Sequence, residues 1–290
     1  MKRIAIFALA LIALYSPASH ACEFCALHNG LGQYNNQGDF VSLTYRTTTA
    51  STIVTGGSVE PSTGDKLAIN TTQFYYQHSF TDELKAQLVL PHIQKTASAN
   101  GETVDTSSGI GDPILMARYT VWGDPARQFA AAIVGLKLPI GAKKTDPDGV
   151  FSPDLVIGTG STDPLIGVVY SHNIGNWNYS ADALYKFSGK GYDSYQFGNM
   201  LNLGLNGYYR LHDNVNAGLG LAGENMAADS DNGNIVENTG GTVFFANPTI
   251  QYAVDDFYAE LSYQLPVYRN FTGTQLVVDN KIIVSVRYAF

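Results

Sequence analysis

The stretch that decides the fold class is the last one, "KIIVSVRYAF" (Lys281–Phe290). Ile282, Val284, Val286, Tyr288 and Phe290 alternate with Lys281, Ile283, Ser285 and Arg287. A two-residue period is that of a β-strand with one apolar and one polar face. Soluble chains mostly end in a frayed polar tail; this one ends on a strict alternation and an aromatic. The same pattern recurs upstream. In "FVSLTYR" (40–46), Val41, Leu43 and Tyr45 oppose Ser42, Thr44 and Arg46. In "WNYSADALYKF" (177–187), Trp177, Tyr179, Ala181, Ala183, Tyr185 and Phe187 oppose Asn178, Ser180, Asp182 and Lys186. "LNLGLNGYYR" (201–210) and "FYAELSYQL" (257–265) repeat it.

The connections alternate as well. Short ones are "TDE" (81–83), "GDPAR" (123–127), "NIGN" (173–176), "HDN" (212–214) and "DD" (255–256). Longer loops rich in Gly, Ser, Thr and Asn are expected near 50–66, 94–108, 140–162, 188–197, 227–241 and 271–278. This predicts about twelve strands of roughly ten residues, the length of a tilted membrane-crossing strand. The expected fold is all-β: a transmembrane, antiparallel, up-and-down barrel with short periplasmic turns and long extracellular loops. A secreted β-sandwich is the competing reading. Against it, the apolar faces carry aromatics towards strand ends (Tyr45, Tyr170, Trp177, Tyr209, Tyr263, Tyr288), as an interfacial girdle requires. The opposite faces carry charges in mid-strand, as a wet interior permits. Because open sheet edges do not survive in lipid, the last strand must pair with the first. Phe290 then sits on the lipid face of that seam and resembles the terminal signal read by the barrel-insertion machinery.

Composition agrees with one greasy and one polar face. Of 290 residues only 14% are charged and 12% are aromatic, with 18 Tyr and 29 Gly. "MKR", "IAIFALALIALY" and "SPASHA" read as the three regions of a signal peptide, cleaved after Ala21. Residues 22–36 are then a periplasmic N-terminal segment, and 37–290 an outer-membrane barrel. Ser19 stands where a lipobox wants Leu, which argues against lipidation at Cys22. The formal net charge of −8 becomes more negative once Lys2 and Arg3 are removed. Nucleic acid is excluded as a partner, for want of a basic stripe to neutralise phosphates.

Parity places Arg46, Arg118, Asp182, Lys186, Glu260 and Arg287 towards the lumen, and Leu203, Leu219 and Val284 towards lipid. Asp112, Lys137 and Asp163 are expected at one outer level of three adjacent strands, all facing inward. A lysine between two carboxylates neutralises much of their charge in a confined pore. Its role is read as structural, pinning register and the 140–162 loop, ahead of contact with a solute.

Three stretches carry a resemblance: "GIGDPILMARY" (109–119), "LKLPIGAKKTDPDG" (136–149) and "GTGSTDPLIGVVYSH" (158–172). In that order they resemble the outer-membrane channels linked to the meta-cleavage pathway of phenol degradation. The resemblance spans roughly residues 40–290. It implies a barrel passing small, often apolar or aromatic compounds, and it supplies no particular substrate.

"CEFCALHNG" (22–30) lies outside the resemblance. Cys22 and Cys25 are the only cysteines. In an oxidising compartment they read as a disulfide or redox pair. A soft-metal site adding His28 and the new α-amine is the alternative. Nucleophile elbows, zinc-hydrolase motifs and phosphate loops are lacking, and no cofactor is implied. "DPDG" (146–149) reads as a β-turn before it reads as a weak calcium site. Three functions follow. The first is a passive channel for small, apolar or aromatic solutes. The second is a barrel acting through its C-x-x-C with a periplasmic redox or metal partner. The third, an outer-membrane lipid hydrolase, needs a Ser–His pair near the outer rim.

Overall fold

The computed structural model describes residues 38–61, 63–143 and 153–290. The wall is built from β1 (Phe40–Thr55), β2 (Lys66–Ser79), β3 (Leu84–Ala99), β4 (Glu102–Ile110), β5 (Ile114–Asp124), β6 (Gln128–Lys137) and β7 (Asp163–Ile174). It continues through β8 (Trp177–Lys186), β9 (Met200–His212), β10 (Val215–Met226), β11 (Gly241–Val254), β12 (Phe257–Phe271) and β13 (Thr274–Ala289). Each strand pairs antiparallel with its neighbour in sequence, except that β5 pairs with β3 and β6 and not with β4, and β13 pairs back onto β1. The result is a closed 12-strand barrel. β4 and β5 share one place in it: β4 pairs the His92–Ala99 part of β3, and β5 the Leu84–Val89 part. Between them lies Gly111–Asp112–Pro113, whose proline cannot donate to a ladder. The expected signal peptide, Cys22, Cys25, His28 and "DPDG" all lie outside the described residues.

The seam runs from Phe40 opposite Ala289 to Thr55 opposite Thr274. Phe290, 65% exposed on the outside, adds its N–H to the Asp39 carbonyl at 3.0 Å. Midway the register jumps, and Ser51 and Asp279 drop out of the ladder together. The Asp279 carboxylate spans the gap, accepting from Ser51 Oγ (2.7 Å), Thr52 N (3.2 Å) and Thr52 Oγ1 (2.5 Å). A pair of opposed bulges closed by one carboxylate allows few other registers.

The outer surface decides what surrounds the wall. Leu43, Val134, Val168 and Leu219 are 55–65% exposed, in a continuous apolar band far larger than a water-soluble surface tolerates. Towards the short turns it ends in rings such as Trp177, stacked on Tyr179 and packed beside Tyr209. This is a lipid-facing wall with an aromatic girdle, and the chain is an outer-membrane barrel.

Three of the expected long loops are corrected. Strand extends to Thr55 and resumes at Lys66; Leu84–Ala99 and Glu102–Ile110 form a hairpin across 94–108; β13 begins at Thr274. Above the lipid band the outward positions become polar (Asn70, Gln94, Asn280), so these stretches read as loops although they continue the sheet. A half-wall of β13, β1, β2, β3 and β4 therefore stands outside the membrane.

Candidate functional site

Alternation turns every second side chain of the wall inward, and those side chains are chemically divided. On β1–β3 and β12–β13 the short-turn half of the interior is polar. Arg46, Gln73, Gln77, Lys85, Gln87, Glu260 and Gln264 are all buried there. Glu260 accepts hydrogen bonds from Gln251 Nε2 (2.9 Å), Tyr258 Oη (3.2 Å) and Ser262 Oγ (3.2 Å). The Arg287 guanidinium lies over the Tyr258 ring at 4.4 Å and the Phe40 ring at 5.2 Å. That of Arg118 lies 5.6 Å from the centre of Phe129. Across β5–β11 the long-loop half of the interior is largely apolar: Ile114, Met116, Ile133, Leu165, Val169, Leu184, Met200, Val243 and Phe245 belong to one buried cluster, while towards the short turns the same strands bury Arg118, Asn178, Ser180, Asp182, Asn247 and Gln251. Inward glycines make room for the cluster. A Cβ on Gly135 would meet Met116 Cγ at 2.7 Å, and one on Gly167 would meet Leu184 Cδ1 at 2.5 Å.

At the outer end of this interior Lys137 closes β6 and faces Asp163, the first residue of β7, as its direct cross-strand partner. Lys137 Nζ is 2.8 Å from Asp112 Oδ2 and 3.0 Å from Asp163 Oδ2; all three side chains are at most 4% exposed. The knot extends further. Asp112 accepts from Gly141 N and Thr159 N, both at 2.8 Å, and from Thr159 Oγ1. Asp163 accepts from Gly189 N at 2.9 Å, and Lys186 Nζ lies 3.9 Å from it. Lys137 also donates to Thr159 Oγ1 and to Ser161 Oγ. Two carboxylates and one ammonium thus hold two outer loops against three strands.

The structure places Arg46, Arg118, Asp182, Lys186, Glu260 and Arg287 inside the wall, and Leu203, Leu219 and Val284 on its outer face. It brings Asp112, Lys137 and Asp163 into contact, with Lys186 at their edge. The sequence reading missed the span between Lys281 Nζ and Glu224 Oε1 (2.5 Å), which passes 4.3 Å from the centre of the Phe245 ring. It joins β13 to β10, strands that are not neighbours, so no local pattern announces it. Missed too was Asp229, which pins the outer loops through Tyr195 Oη (2.5 Å) and Gly198 N (2.7 Å). Burial, then the Asp229 charge, push the Tyr195 phenol far above its ordinary range. Thr159 and Ser161 were legible in "GTGSTDP", whose short hydroxyls flank the glycines of a turn.

A family model described as "Putative MetA-pathway of phenol degradation" matches residues 35–279. The chain belongs to that family. Among solved structures it is similar to an outer membrane channel from Pseudomonas putida F1, with a TM-score of 0.73 and 17% identity, covering 90% of this chain and 98% of that one. The translocator domain of the autotransporter NalP from Neisseria meningitidis follows, with a TM-score of 0.55 and 13% identity, covering 91% and 92%. At these identities the likeness is one of fold. No curated protein is similar enough in sequence to match. Family membership covers the apolar interior and the Lys137 knot alike, since both fall within the matched residues.

Proposed function

We propose that the protein is a passive outer-membrane channel for small apolar solutes, aromatic ones included. The observation carrying this reading is the apolar cluster that lines the long-loop half of the inner wall across β5–β11. A barrel built for hydrophilic diffusion keeps its interior polar, whereas here Ile114, Ile133, Leu165 and Phe245 face inward as one cluster. The family description and the outer-membrane channel of similar fold support it. Phe290, outside at the seam, is assigned to assembly, as the group the insertion machinery reads. In the test, intact cells expressing wild type or Ile133→Asn/Leu165→Asn take up N-phenyl-1-naphthylamine, which fluoresces on reaching lipid. The double variant should take it up at least fivefold more slowly, with ionic conductance undiminished. Equal uptake by the two would reject an apolar path.

One observation favours a second reading, the lipid hydrolase. Ser108 Oγ lies 3.5 Å from His92 Nε2, both exposed at the outer rim. That distance is at the limit of a hydrogen bond. Among the described residues no carboxylate orients His92 through Nδ1, as the triad geometry would require. Phospholipid hydrolysis that disappears in Ser108→Ala would establish the second reading in place of the first.

A further inference from the structure

Beneath the outer loops the half-wall carries a patch whose chemistry is the reverse of its outer side. Leu67, Ile69, Ile93, Ala50, Ile53 and Leu276 pack into one buried cluster, and two members of that cluster are not wall residues at all. They are Leu155 and Ile157, from the segment 153–161 that leads into β7. Leu155, Val156 and Ile157 are 6%, 3% and 3% exposed. Yet the segment forms no strand, and several of its ties to the wall are made by side chains. Lys95 Nζ donates to the Asp154 carbonyl (3.1 Å), Ser107 Oγ donates to the Leu155 carbonyl (2.5 Å), and Asp112 receives Thr159 N. Its far end turns on Gly160, whose φ of +72° favours glycine.

We propose that residues 153–161 are a displaceable strap, and that the patch beneath Leu155 and Ile157 is the outer binding site for a small apolar solute. This rests on the channel reading above. The covering side chains show what the patch accepts: two branched hydrocarbon groups without a polar partner, the volume and chemistry of a monocyclic or short aliphatic molecule. The patch is a cluster separate from the one that includes Ile114, Leu165 and Phe245. Val54 and Val277, next in sequence to Ile53 and Leu276, belong to that second cluster, on the other face of the same two strands. A solute replacing Leu155 and Ile157 therefore occupies a bounded outer site beside the inner cluster. The strap is anchored at Thr159 and Ser161 in the Lys137 knot; ahead of that anchor, its side-chain ties through Lys95 and Ser107 can be exchanged without opening a ladder.

The strap can be locked. A Cβ on Gly109 of β4 would lie 3.7 Å from Ile157 Cγ2, so a cysteine sulfur at that γ position faces a cysteine side chain at 109. Gly109→Cys/Ile157→Cys is made in a Cys22→Ser/Cys25→Ser background and checked for folding by heat-modifiable mobility. Oxidised, it should take up N-phenyl-1-naphthylamine at least tenfold more slowly than after reduction. Equal uptake in the two states overturns the strap. If neither state takes up the probe, the channel reading fails, and the strap is judged by labelling alone. For that, Ile69→Cys in the same background meets a water-soluble maleimide. Adding Leu155→Ser/Ile157→Ser should raise its labelling rate at least tenfold, and the naphthylamine should then slow it. An unchanged rate, or no protection by the probe, rejects the site.

Discussion

The two halves of β2 have the same alternation and opposite chemistry. Near the short-turn end Phe74 is 40% exposed outside, while Gln73 and Gln77 are buried inside. Near the long-loop end Leu67 and Ile69 are buried inside at 2% and 1%, and Asn70 faces out, accepting from Tyr45 Oη at 3.1 Å. β1 and β3 invert at the same level. Leu43 is outside and Arg46 inside below, with Ala50 and Ile53 packed inside above; Leu90 is outside below, and Ile93 inside above. A strand's apolar face follows whichever neighbour is apolar. In the membrane that neighbour is lipid; above it, the neighbour is the protein's own core. The boundary between the two is written in these strands.

The comparison is broken hardest at the knot where the wall leaves the membrane. Lys137→Met leaves Asp112 and Asp163 facing each other in a buried site, and removing one member of a buried ion cluster costs about 3–5 kcal/mol. Asp112→Asn/Lys137→Met/Asp163→Asn, with no charge left to isolate, should lose clearly less. Thermal loss of heat-modifiable mobility ranks the two variants, and a single variant as stable as wild type would remove the knot from the account. Next in size, Ile69→Ala empties a packed position and should cost about 2–5 kcal/mol. Phe74→Ala, whose vacated space lipid fills, should cost under about 1 kcal/mol. Equal melting shifts for the two would erase the inversion.

Much of this was legible before the fold was. Period two, alternating connection lengths and the terminal Tyr288–Phe290 rings point to a barrel with its seam at β1 and β13. "GIGDP" marks the break that sets Asp112 beside Lys137. The half-wall was not legible. Its outward Thr, Asn and Gln residues face water, so its composition is that of a loop and only its inward positions betray a strand. The Lys281–Glu224 span was hidden for another reason: it joins strands separated by β11 and β12, and no sequence spacing encodes a chord across a barrel.

The smallest effect is expected at the short-turn rim. Asp39 is held below the usual carboxylate range by the Ser79 N–H (2.7 Å) and then by His78 Nδ1 (2.6 Å). A carboxyl with a lowered folded pKa adds stability that is fully present above its unfolded value, about 3.9. That contribution is lost as pH falls from there through the lowered folded value. Wild type should therefore approach Asp39→Asn in melting temperature as pH drops below about 4, and a constant gap between them down to pH 2 would reject the contribution.

The inversion is tested most directly by single spin labels along β2 in the cysteine-free background, reconstituted in bilayers. Power saturation by oxygen, which concentrates in lipid, is compared with saturation by a water-soluble nickel chelate. Labels at Phe74 and Tyr76 should respond to oxygen, labels at Asn70 and Ala68 to the chelate, and labels at Leu67 and Ile69 weakly to both. Oxygen-dominated saturation at Asn70 and Ala68 would place the whole strand in the membrane and contradict the extracellular half-wall.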